Sequence, residues 1–234
     1  MKSQRSKPQV SRMSPDERRR LIVTEAISFF AENGFSANTR LLAKRIGVTQ
    51  PLLFSYFPTK DKLIDAVFAE VYARHSNREW LEIISNPSIP LRERLIKFAK
   101  SYAASTYDHD WIRIYMFAAL SGGNLNRYYI SSVTEPLLYQ IAIEIRKQHG
   151  LLPVSEKAVT RQEIEYLWLF HAGLYYASIR THIYGIEVDP KAIEPATELS
   201  IDAMLAGYTR LLKSIAPRAA GVKPKLAKRA RASR

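Results

Sequence analysis

The side chains best suited to chemistry in this 234-residue chain gather between Thr39 and Lys60. The chemistry they offer is recognition rather than bond making. Gln50 carries an amide that donates and accepts at once, the combination that reads an adenine edge. Pro51 and Leu52 can meet a thymine methyl, and Thr49 and Ser55 add hydroxyls on the same face. Thr39, Arg40, Lys44, Tyr56 and Lys60 suit phosphate oxygens, which set register without reading sequence. Lys60 gains from a helix start, where backbone amides face the same anion. No nucleophile–base arrangement, glycine-rich phosphate loop or metalloprotease helix is present, so an enzyme is not expected. No metal or cofactor is expected either: His171 and His182 share a helix face without further ligands, and Asp108-His109-Asp110 reads as a helix cap.

Two short helices and a sharp turn must hold those residues. Leu42, Ala43 and Ile46 share one helical face, and Ala43 is small where crossing helices approach. Gly47 permits the turn and Val48 anchors it. Thr49 can cap the next helix, with Pro51 tolerated in its first turn. Upstream, Ser14-Pro15-Asp16-Glu17 starts a first helix with a capping box, Ile22, Ala26, Phe29 and Phe30 form its buried stripe, and Asn33-Gly34 ends it. A fourth helix is expected from near Thr59 toward Trp80. The whole is helix-turn-helix grammar, which lays its second helix in the DNA major groove.

Charge falls where that reading needs it. The net charge is +13. Residues 1–62 hold 12 Lys and Arg against 5 Asp and Glu, residues 63–213 hold 16 against 17, and residues 214–234 hold 7 against none. The excess therefore sits on the two ends, as phosphate binding requires, rather than over a generally solvated surface. Arg5, Lys7, Arg12 and Arg18 to Arg20 could follow a minor groove or the backbone, and the tail would add salt-sensitive affinity without sequence preference. There is no cysteine, which fits a reducing cytoplasm. No apolar run suits a signal peptide or a membrane span, so a soluble, cytoplasmic, nucleoid-associated protein with no membrane partner is expected.

The stretch resembles the DNA-binding head of the TetR family of transcriptional regulators. The resemblance rests on Gly34-Phe35, Thr39, Leu42-Ala43, Gly47-Val48-Thr49, Leu53-Phe54-Ser55-Tyr56-Phe57 and Thr59-Lys60-Asp61-Lys62-Leu63. Pro51 stands where many members have Gly, Tyr56 where His is frequent, and Phe54 where Tyr is usual. Phe54 thus keeps a DNA-facing position without its phosphate-binding hydroxyl. The resemblance implies an all-α protein with a three-helix DNA-binding head (14–62) and a helical effector-binding and dimerisation body (63–216), while composition marks a basic arm (1–13) and a basic tail (217–234), both expected to be disordered. It also implies a homodimeric repressor on double-stranded DNA with a palindromic operator, released by a small-molecule effector. A sequence-tolerant architectural DNA binder is the alternative.

The body reads as helices near 90–106, 110–121, 125–149, 161–184 and 190–214, with Pro136 kinking or splitting the third. Small residues at near-helical spacing, Gly173, Ala177, Ala203, Ala206 and Gly207 among them, mark the last two helices as the expected dimer interface. Trp111, Tyr115, Tyr128, Tyr139, Trp168, His171 and Tyr175 are the expected lining of a pocket for an aromatic or lipophilic effector, with Arg113 and Arg180 as further polar anchors.

Overall fold

A computed structural model describes residues 13–75, 79–122, 125–151 and 159–215, and every regular element among them is helical. The expected arm, apart from Met13, and the expected tail lie outside the described residues. No helix among the described residues is long and apolar enough to cross a membrane.

Helix α1 (Pro15–Asn33) begins with the expected capping box: Ser14 Oγ accepts from the Glu17 amide, and the Glu17 carboxylate accepts from the Ser14 amide at 2.8 Å. Its buried side is wider than the expected stripe, because Val23, Ile27 and Ala31 are enclosed as well. The reason is that α1 is packed from several sides at once, by α2 (Thr39–Ile46), α4 (Lys60–His75) and α7 (His109–Leu120). Helix α3 (Gln50–Tyr56) completes the head. The expected boundary at residue 62 falls inside α4, whose Leu63, Val67, Phe68 and Val71 belong to the head's core. Trp111, Ile112, Ile114 and Ala118 of α7 belong to it too.

A second core joins α5 (Glu79–Ser85), α6 (Leu91–Thr106), α9 (Glu135–Gln148), α10 (Arg161–His182) and α11 (Pro190–Ile215). The helix expected to run toward Trp80 is two helices, α4 and α5, with residues 76–78 between them outside the described set. The segment expected over 125–149 is divided at Pro136, as its chemistry requires. Helix α8 (Leu125–Tyr129) passes into a π-helical turn, Ile130–Thr134, and α9 follows. Pro136 has no N–H for the Ser132 carbonyl and its ring would press on that group in a regular helix. The widened turn, in which the Glu135 amide reaches back to Ile130, removes the conflict.

The two cores are tied through α7. Ser28 donates to Asp110 at 2.8 Å, and Arg113 Nε donates to the Ala31 carbonyl at 2.5 Å. The same guanidinium donates through its other arm to the His182 carbonyl at 3.4 Å. Phe117 lies so close to Gly34 that an added Cβ would sit 3.1 Å from its ring. Gly34 also has φ +74°, so a side chain there would be strained by conformation and would have to displace the Phe117 ring by a few tenths of an ångström.

Candidate nucleic-acid interface

Local chemistry fixes the position of α3. Asn38 caps α2 by accepting from the Arg40 amide at 2.8 Å. Gly47 ends α2 in the left-handed region (φ 82°, ψ 30°), and its N–H donates to the Ala43 and Lys44 carbonyls. The Val48 amide closes a further bond to Ala43 at 3.0 Å. Thr49 then caps α3 through the Leu52 amide at 3.3 Å. Leu53 and Phe57 face inward, fully enclosed, and Arg19 lies over the Phe57 ring at 4.9 Å. With that side fixed, the opposite side of α3 faces solvent: Thr49, Pro51 and Ser55 are exposed, while Gln50, Leu52, Phe54 and Tyr56 are half-buried.

Not every expected contact residue is free in the same way. Arg40 and Lys44 extend from α2 into solvent. Thr39 is buried, and its hydroxyl accepts from the Gln50 side-chain nitrogen at 3.2 Å. This bond sets the direction of the Gln50 amide and leaves its carbonyl oxygen outside that bond. Lys60 is half-buried and its ammonium donates to the Ala37 carbonyl at 2.8 Å, tying the start of α4 to the loop before α2. Two features of the surface escaped the sequence reading. Leu41 is 59% exposed beside Arg40, an apolar side chain on the outer side of α2. Arg45 is drawn toward α1, where it donates to Glu32 at 2.6 and 3.0 Å and lies 3.5 Å from Glu25. Those hydrogen bonds hold the Glu32 carboxyl below the usual carboxylate range. The Leu41-Leu42 pair was a signal for the first, since only one of two adjacent leucines can face the core; nothing local announces the second.

The seven side chains expected around an effector go to different places. Trp111 is buried in the first core, stacked on Tyr115 with ring centroids 5.1 Å apart. Tyr128 is 70% exposed. Tyr139 and Trp168 pack, partly buried, against the second core, where His171 meets the rings of Tyr102 and Trp168, and Tyr175 borders both cores. His171 is buried, with Tyr102 Oη 2.6 Å from its Nε2. Burial holds its pKa down at about 4, so the ring is neutral near pH 7. Arg113, an expected polar anchor, is engaged with Ala31 and His182 as described.

A groove of about 640 Å³ opens instead between α6, α10 and the start of α11, and its lining includes none of those seven. Gly173 and Ala177, expected at a dimer interface, line it. Ala203 and Ala206 are exposed, whereas Gly207 accommodates Tyr166 of the same chain, whose hydroxyl donates to the Met204 carbonyl at 3.2 Å. Among the described residues no group of three or more His, Cys, Asp or Glu converges as a metal site would require.

Residues 22–67 match the model of the family described as bacterial regulatory proteins, tetR family. Over 88 residues the chain is 27% identical to tetracycline repressor protein class D of Escherichia coli, a match covering 34% of this chain and 40% of that repressor. The class H repressor of Photobacterium damsela subsp. piscicida matches to the same extent. The chain thus spans about two fifths of the length of these curated relatives. Among solved structures it is similar to a TetR-like transcriptional regulator from Rhodococcus sp. RHA1, with a TM-score of 0.63 at 18% identity, covering 84% of this chain and 100% of that one. A TetR family transcriptional regulator from Pseudomonas syringae pv. tomato str. DC3000 gives 0.60 at 20% identity, covering 82% and 97%. At such identities the likeness is one of fold.

Proposed function

This chain carries the DNA-binding head of TetR-family transcriptional regulators on the all-helical fold of such proteins, and from that premise we propose that it is a homodimeric repressor of a palindromic operator, released by a small molecule. The observation that carries the reading is the two-sidedness of α3, with Leu53 enclosed and Thr49, Pro51 and Ser55 open to solvent. An apolar side fixed in the head's core leaves a rigid polar side to enter the major groove. Gln50 reads a base edge, its amide aimed by Thr39. Arg40, Lys44, Tyr56 and Lys60 meet phosphates. Lys60 exchanges its bond to the Ala37 carbonyl for the stronger charge-assisted bond to an anion.

Two copies pair through the outer sides of α10 and α11. Leu169 (77% exposed), Tyr176 (48%) and Leu199 (69%) stand there among small residues, an apolar patch that a second copy would cover. A two-fold axis then sets two α3 helices about 34–36 Å apart, or a multiple of that, matching half-sites on one side of the duplex. An effector acts by binding the state in which that spacing is wrong more tightly than the state in which it is right.

The reading is tested by selecting bound fragments from random DNA and comparing them with random duplex. A regulator retains a preference of about a thousandfold or more. Within the selected site, Gln50→Ala relaxes one base position, at a loss of about 1–3 kcal/mol. Lys60→Ala weakens every sequence alike and lowers the salt slope by about one. A preference below tenfold would instead identify a sequence-tolerant architectural binder, driven by the basic ends of the chain.

A further inference from the structure

The groove between α6, α10 and α11 has a polar inventory that is nearly closed. Lys100 on its rim is bound to Glu194 at 2.5 Å and lies 3.5 Å from Glu198. The Tyr107 hydroxyl donates to Thr181 at 3.0 Å, and the Thr106 hydroxyl donates to the Tyr102 carbonyl at 3.0 Å. Thr197 on the α11 side donates to the Ile193 carbonyl at 2.8 Å. Apart from Ser178, the remaining surface is small or apolar, Ala99, Ala103 and Leu174 among it.

Ser178 is the exception. It is 1% exposed, it lines the groove, and its hydroxyl has no hydrogen-bond partner. A helical hydroxyl ordinarily turns back to a carbonyl three or four residues earlier, as Thr106, Ser121, Thr197 and Thr209 all do here. Ser178 does not take that option with Leu174. A buried hydroxyl left without a partner lowers stability, so one so placed wants an atom from outside the chain.

The geometry points to this groove as a binding site for an uncharged, lipophilic small molecule that presents one hydrogen-bonding oxygen to Ser178. The volume lies within the range of ligand pockets. The ligand is uncharged because the rim cation already has two carboxylates and no other charge in the lining is unmatched. It is lipophilic because the walls are alanine, glycine, leucine, valine and isoleucine. A second copy of the chain is the rival occupant, since Gly173 and Ala177 also border the proposed dimer face. However, Leu169 and Tyr176 lie about a third of a turn around α10 from the middle of the groove, by the helical repeat. Leu199 likewise faces away from the Ile193 and Thr197 side of α11. Pairing through those exposed residues leaves the groove open. The assignment rests on the ligand-responsive reading only for its consequence, that occupancy alters DNA affinity; the binding itself stands independently.

The full chain is titrated calorimetrically with 1-decanol, 1-chlorodecane and decanoate. Saturable binding of one decanol per chain is expected, with decanoate at least tenfold weaker. Ser178→Ala weakens decanol about three- to tenfold, the worth of one buried hydrogen bond, and leaves chlorodecane unchanged. Ala103→Phe, which fills the groove from α6, weakens both alcohol and chloride at least tenfold with the sedimentation behaviour of the wild type. No saturable binding, equal effects of Ser178→Ala on both probes, or conversion of the Ala103→Phe protein to a different oligomer would each overturn the proposal. Should Ala103→Phe fail to fold, the Ser178→Ala probe pair decides alone. DNA affinity of the unliganded wild type, read by fluorescence anisotropy, separates the two claims: its absence sinks the regulator and leaves the groove result standing, and the converse also holds.

Discussion

The head and the body solve opposite problems with polar groups. In the head, polar side chains stay at the surface or at helix ends, and its strongest ion pair, Arg45 with Glu32, has side chains 34% and 50% exposed. In the body they are carried inside. Arg94 and Glu144 pair at 2.8 Å with side chains 8% and 5% exposed, and the Arg94 guanidinium also donates to the Ile84 carbonyl. Glu163 is wholly enclosed and accepts from Arg146, Tyr208 and Thr160. A surface proposed to meet polyanionic DNA keeps its charges near solvent, whereas a bundle that must hold several helices in one arrangement can use buried pairs as fixed points. Such pairs add little net stability but make loss of either partner severe.

The contrast is sharpest if broken from both sides. Glu163→Ala strands the Arg146 guanidinium and should lower stability by about 3–5 kcal/mol in urea unfolding. Arg45→Ala, its counterpart in the head, should lower it by less than about 1 kcal/mol. Equal losses would erase the distinction.

Acid discriminates between the regions next. Burial holds His171 at about 4, below its ordinary 6.5, so the unfolded chain takes up the proton more readily than the folded one. Stability is therefore complete above pH 6.5 and declines as pH falls toward 4, by roughly 3 kcal/mol in all. Glu163 follows in a lower window: burial alone would raise its carboxyl, but hydrogen bonds from Arg146, Thr160 and Tyr208 outweigh this and hold it at about 2. Its contribution is thus lost only below about pH 4.5. Thermal unfolding of His171→Leu across this range should lack the first decline and keep the second. No histidine lies between residues 13 and 74, so this segment adds nothing to the first decline.

The smallest effect belongs to the turn. Gly47→Ala meets no atom within 4 Å, so the whole penalty is conformational, about 1–2 kcal/mol. If unfolding shows no loss at all, the turn before α3 does not need its left-handed residue.

These differences also explain what could be read from the chain. Ser14 with Glu17, Gly47 and Thr49 act within three or four residues of themselves, so the helix starts and the turn they form were legible from spacing alone, whereas the far boundary of the head, which α4 and α7 complete, was not. Pro136 was legible for the same reason, its missing N–H being a local fact. The groove was not. Ala103 and Ser178 line one groove only because α6 and α10 pack together, and small residues at helical spacing look alike whether they face a second chain, a ligand or, as Gly207 does, a tyrosine of their own chain. Aromatic composition is ambiguous in the same manner: Trp111 is 2% exposed inside the head's core, and nothing in its sequence neighbourhood distinguishes enclosure from lining.

Arg113 sets a limit on how these regions can part. Its two arms grip the backbone of Ala31, near the end of α1, and of His182, where α10 ends. A guanidinium is a flat plate of fixed width, so those two helix ends are spaced by a molecular gauge. Any tilt of the reading head relative to the bundle has either to pivot about that plate or to release one of its arms, and an amide–carbonyl stretch recorded at Ala31 and His182 would reveal which.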